Sequence, residues 1–100
     1  MRIHRREDIA GRSLTEFDSI GDIRFVSDGV VQIELPAGGR IGLHPSADEQ
    51  LFIVVAGEGD VRSGSDVAHV AAGDAVRWSA GEEHETTTET GLVAIVIEPA

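Results

Sequence analysis

Glycines and short polar clusters break this chain at intervals of about eight to twelve residues, and short runs rich in Val and Ile lie between them. Such frequent punctuation leaves no room for long helices; the rhythm is that of an all-β sandwich or barrel. Ser27-Asp28-Gly29, between IRFV and VVQIEL, predicts a hairpin turn, with Asp-Gly supplying the positive φ that tight hairpins need. Ser63-Gly64-Ser65-Asp66, Ala72-Gly73-Asp74 and Ser79-Ala80-Gly81 mark further breaks. Strands are expected near 23–27, 30–35, 40–44, 51–56, 59–62, 67–71, 75–78, 83–88 and 92–97. The nearest thing to a helix, Arg5–Phe17, is interrupted by Gly11 and lacks a sustained apolar stripe. Residues 1–21 therefore read as an arm or extra edge strand, ahead of a barrel over 22–100.

One hundred residues make a single domain, able to bury roughly two-thirds of its extended-chain surface. With 41% apolar and 26% charged residues, and Leu92–Ile97 as its long apolar stretch, the chain reads as globular without a membrane span. The opening MRIHRREDIAG is charged and has no apolar h-region, so secretion is not expected. The lack of cysteine removes disulfides and thiolate chemistry, and a cytoplasmic location is expected. A formal charge of −10, with Arg as the only strongly basic residue type, repels a phosphate backbone. Arg2, Arg5 and Arg6 are diluted by Glu7 and Asp8, so nucleic acid is not expected as a partner. Leu51–Ala56 and Leu92–Ile97 are apolar on both faces, which requires cover on both sides. The core supplies one; a second copy of the chain is expected to supply the other, near Leu51, Ile53 and Val55.

The stretch LHPSADEQLFIVV, residues 43–55, sets His44, Ser46 and Gln50 just before an apolar run. Alternation in an extended chain puts His44 and Ser46 on one face, and Gln50, Phe52 and Val54 on one face of the next strand. In GEEHETTTET, His84, Thr86 and Thr88 share a face. At these residues the chain resembles the cupin family of small antiparallel jelly-roll barrels. The first cupin motif, G-x5-H-x-H-x3-E-x6-G, is matched in spacing by Gly38, His44, Ser46, Gln50 and Gly57. The second, G-x5-P-x-G-x2-H-x3-N, is matched by Gly73, Ser79, Gly81, His84 and Thr88. The resemblance runs from Gly38 to Thr88 and implies a double-stranded antiparallel β-helix, or jelly-roll barrel.

Metal-binding cupins hold a divalent metal with three His and one Glu; here His44 and His84 are retained, while Ser46 and Gln50 replace an imidazole and a carboxylate. The resemblance thus implies His44, Gln50 and His84 as a weak ligand set for Zn, Ni, Mn or Fe(II), because neutral amide and hydroxyl oxygens are poorer ligands. Glu82 shares parity with His84 and is a candidate for the missing carboxylate. Burying the Gln50 amide without partners would cost about 1–3 kcal/mol, so a ligand or a neighbouring histidine is expected to bond it. Ser46, Phe52, Trp78 and Thr86 are expected to line the pocket, with Arg40, sharing parity with His44, at its rim, where it would grip a carboxylate. His4 and His69 read as surface residues. No Ser lies in a Gly-x-Ser-x-Gly elbow, and Gly57-Glu58-Gly59, taken to sit between strands, has no helix after it to make a phosphate loop. Three functions are consistent with this pattern. The leading one is capture of a small organic ligand; the others are a metal-dependent oxygenase, isomerase or lyase acting on a small acid or aromatic compound, and a barrel with a vestigial site that acts through dimerisation or a protein partner.

Overall fold

Alternating apolar residues and frequent turns fold into nine antiparallel strands: β1 (Gly11–Leu14), β2 (Gly21–Ser27), β3 (Val30–Leu35), β4 (Arg40–Pro45), β5 (Gln50–Ser63), β6 (Asp66–Ala71), β7 (Ala75–Trp78), β8 (Glu83–Thr87) and β9 (Leu92–Ile97). The structure, a computed structural model, describes residues 1–98; Pro99 and Ala100, the end of the expected barrel, lie outside the described residues. Short 3-10 turns at Arg6–Asp8 and Glu16–Asp18 flank β1, which pairs with β2 as an edge strand.

The strands follow one curled path, β1-β2-β3-β9-β5-β8-β4, with β6 and β7 added along β5. This is a jelly roll whose two layers share β5. Its first half, from Gln50, pairs with β9 and β7, whereas its second half, from Glu58, pairs with β6 and β8. The expected strands at 51–56 and 59–62 are therefore one continuous strand. Gly57 makes the crossing possible: its φ of 76° lies in the left-handed region, and a Cβ there would overlap the Gly91 carbonyl.

Inner-face residues of the first layer, Ile33, Leu35, Phe52, Val54, Leu92, Ala94 and Val96, pack with Leu14, Val61, Val70 and Trp78 into one core. A fully buried side chain of this kind contributes about 1.5–3 kcal/mol. Packing is uneven along the barrel. The end marked by Leu35, Val54, Leu92 and Ala94 is filled, whereas the layers separate toward the β2–β3 turn and leave a cavity.

A one-residue register shift decides what faces that cavity. β4 pairs Ile41 with Thr86 and His44 with His84, three residues along one strand against two on the other. The bulge falls at Gly42-Leu43 and reverses the alternation. Ile41 and His44 both line the cavity, so Arg40 does not share a face with His44 as expected from strict alternation.

Candidate functional site

His44 and His84 stand opposite one another on adjacent strands, with ring centroids 4.4 Å apart and planes inclined by 57°. Each ring turns back on its own strand: His44 Nδ1 lies 2.7 Å from the Gly42 carbonyl oxygen and His84 Nδ1 3.0 Å from that of Glu82. A carbonyl oxygen only accepts, so each Nδ1 carries the hydrogen and donates it. In the neutral rings Nε2 is then a bare lone pair, and among the described residues neither Nε2 has a hydrogen-bond partner. Burial pushes the His84 imidazole below its ordinary pKa, opposed by the Glu82 carbonyl and reinforced by His44.

The two imidazoles form the middle of an aromatic column. The Trp78 ring stacks on His84 at 4.2 Å and 12°, and Phe17 stacks on His44 at 4.7 Å and 12°. Phe17 comes from the arm and was not foreseen. It sits in a left-handed backbone conformation, φ 57°, and 54% of it is exposed. Its close approach depends on Gly42, since a Cβ there would overlap the Phe17 carbonyl, and on Ser19 Oγ, which accepts the Gly42 N–H at 3.0 Å. One signal was available. The chain has only four aromatic residues, and all of them gather here: Phe17, Phe25 and Phe52 line the cavity, and Trp78 backs His84.

The remaining expected residues divide. Phe52, Thr86 and Gln50 line the cavity together with the two histidines. The Gln50 amide nitrogen donates to Glu98 Oε1 at 2.6 Å, so its partner is neither histidine. Ser46, 2% exposed, lies behind His84, its Oγ 3.4 Å from Nδ1, and is not a cavity residue. Trp78 is likewise behind the wall, its indole N–H buried without a partner among the described residues. The Glu82 carboxylate points elsewhere: it accepts from Ser63 Oγ at 2.7 Å and from the Ser79 N–H at 3.0 Å. These donors, Ser63 foremost, hold it below the usual carboxylate range. It closes its own turn, and only its backbone carbonyl serves His84. Arg40 pairs with Asp18, donating from Nε to the backbone carbonyl at 2.8 Å and from Nη2 to the carboxylate at 2.9 Å. It therefore pins the Phe17 turn rather than reaching toward a ligand.

The cavity measures about 560 Å³ and is lined mostly by apolar side chains of β2, β3, β5 and β9 on one wall and by Ile41, His44, His84 and Thr86 on the other. As a metal centre the donor set is incomplete. Two imidazole nitrogens are free, and Gln50 bonds Glu98 through its amide nitrogen alone, but its oxygen is a neutral, weak ligand and the Glu82 carboxylate is engaged by its turn. Among the described residues no group of three or more His, Cys, Asp or Glu is placed to hold a metal ion. The residues present thus do not fit the three-His, one-Glu site. Among the same residues, no helix is long and apolar enough to cross a membrane.

Comparison with known proteins agrees with this architecture. No curated protein sequence matches the chain. A predicted oxalate decarboxylase from Thermotoga maritima is 21% identical, with 98% of this chain and 100% of that one covered and a TM-score of 0.76. The polyketide cyclase RemF from Streptomyces resistomycificus is 18% identical, covering 99% and 79% with a TM-score of 0.84. A cupin-2 domain protein from Rhodospirillum rubrum is 16% identical, covering 99% and 75% with a TM-score of 0.76. At such identities the likeness establishes the fold. The family model described as the cupin domain matches residues 31–98, more than half of the chain and the part that carries both histidines; the chain belongs to the cupin family.

Proposed function

We propose that this protein captures a small organic molecule in the cavity between its two layers, with the His44 and His84 Nε2 atoms accepting hydrogen bonds from it. The observation that carries this reading is a hollow of about 560 Å³ inside a chain of only 100 residues. Pockets for small molecules are typically about 300–1,000 Å³, mostly apolar, with a few convergent polar groups. Titration with the uncharged dye Nile red tests it. Saturable binding of one dye per chain is expected, weakened at least about tenfold by Thr86→Phe, which projects a ring into the cavity. Unchanged binding in a folded Thr86→Phe variant would place the dye elsewhere and sink the reading.

A second reading, weak capture of a divalent cation and with it a metal-dependent activity, has one observation in its favour. Both Nδ1–H groups are held by backbone carbonyls, the arrangement that orients metal-ligating histidines. A Zn(II) titration that gives heat in the native chain and none in His44→Ala would support it. We also propose a homodimer, built on the outer face of the β3-β9-β5 layer, and a cytoplasmic location, in keeping with the lack of cysteine.

A further inference from the structure

Resting on the small-molecule reading above, we infer that the ligand is an uncharged, largely apolar molecule with a hydroxyl or N–H group at one end, and that carboxylates are excluded. The observation is the distribution of charge on the cavity wall. Its charged side chains, among the described residues, are Asp28 and Glu98, both acidic, and no arginine lines it.

The arginines near the mouth are already committed. Arg40 is held by Asp18, and Arg24 by Glu34. Arg12 lies 5.7 Å from the Phe25 ring centroid but is gripped by both oxygens of Glu16, each at 2.7 Å. A carboxylate entering the cavity would therefore lose its hydration, meet no guanidinium, and face two like charges. Acids at the exposed edge of an apolar cavity add to that repulsion.

The two histidines select in the same direction. The two Nε2 lone pairs only accept, so the complementary ligand atom is a donor. Gln50 gives one of its two amide hydrogens to Glu98, and its carbonyl oxygen is a further acceptor. Around them the wall of Leu14, Ile23, Phe25, Ile33, Phe52 and Val96 fits a hydrocarbon or aromatic body. A donor head against two imidazoles and an apolar body beneath Phe17 describe an aromatic or alicyclic alcohol, phenol or amide.

Three probes of one shape separate these features: 2-naphthol, naphthalene and 2-naphthoate, titrated at about pH 7.5, where imidazoles are mostly uncharged, with EDTA present. The expected order is 2-naphthol, then naphthalene, then 2-naphthoate, with the phenol at least about tenfold tighter than the carboxylate. Asp28→Asn with Glu98→Gln should narrow that gap by strengthening 2-naphthoate. His44→Phe with His84→Phe should bring 2-naphthol and naphthalene together. Binding of 2-naphthoate as tight as that of 2-naphthol overturns the inference while leaving the capture of small molecules standing. If neither Nile red nor any naphthyl probe binds, both fall.

Discussion

Two hydrogen bonds decide the chemistry that the paired imidazoles offer, and each joins a histidine to the residue two positions earlier. Gly42 and Glu82 present their carbonyls to Nδ1, so both rings should show the Nδ1–H tautomer in long-range nitrogen–proton correlation spectra of the apo protein. Finding the hydrogen on Nε2 of either ring would remove the acceptor pair. Gly42 is the other sensitive position. Its missing Cβ is the space that the Phe17 carbonyl occupies, so Gly42→Ala must displace either β4 or the turn. A loss of about 1–3 kcal/mol in urea unfolding is expected, together with weaker ligand binding. Of the candidate residues, His44 and His84 were legible because their spacing from the glycines survives intact. Arg40 was not, because a bulge reverses the alternation on which its placement depended.

At the scale of elements, the arm is joined to the sheet by the pairing of β1 with β2, and side chains fasten it at two further places. Phe17 and Asp18 meet β4, and Arg6 reaches across to Glu34 on β3, with Nη2 at 2.8 Å from Oε2 and Nε at 3.2 Å from Oε1. Arg6, helped by Arg24, holds the Glu34 carboxyl below its ordinary value near 4.5. Below that value the unfolded chain takes up a proton that the folded chain resists. The contribution is therefore complete above about pH 4.5 and is lost as the pH falls through the folded-state value. Denaturation curves of the native chain and Glu34→Gln should differ at neutral pH and draw together as the pH falls below about 4.5; a constant difference would dissociate the pair from folding. β5 is the element that periodicity described worst. Two apolar runs around Gly57-Glu58-Gly59 read as two strands with a break, whereas the chain bends there without leaving the sheet.

For the whole molecule, the outer face of the β3-β9-β5 layer is an apolar surface that the barrel leaves only partly covered. Val30, Ile97 and Leu51 form one cross-strand row, and Ile95 and Ile53 share the next. These side chains are only partly covered by the chain itself, and Val55 beside them is 50% exposed. A contiguous apolar patch of this kind is uncommon on a monomer. Sedimentation should give a dimer for the native chain and a folded monomer for Ile53→Glu with Ile95→Glu; a native monomer would sink the proposed dimer. The net charge of −10 bears on the same surface, since repulsion between copies has to be overcome by apolar burial. Dimerisation should accordingly strengthen with salt.

The amino-acid sequence by itself determined the strand rhythm and the all-β class, and its resemblance to the two cupin motifs pointed to the jelly roll and to two histidines within one barrel. The rhythm follows from local rules: side chains alternate with period two, and glycine permits positive φ. Only the tertiary structure decided the neighbours. Phe17 moved into the site, Glu82 and Arg40 turned away from it, and Gln50 found Glu98 forty-eight positions along the chain. Such contacts are set by register, by a single bulge and by the competition of every polar group for a partner, and that competition is resolved only when the strands have come together.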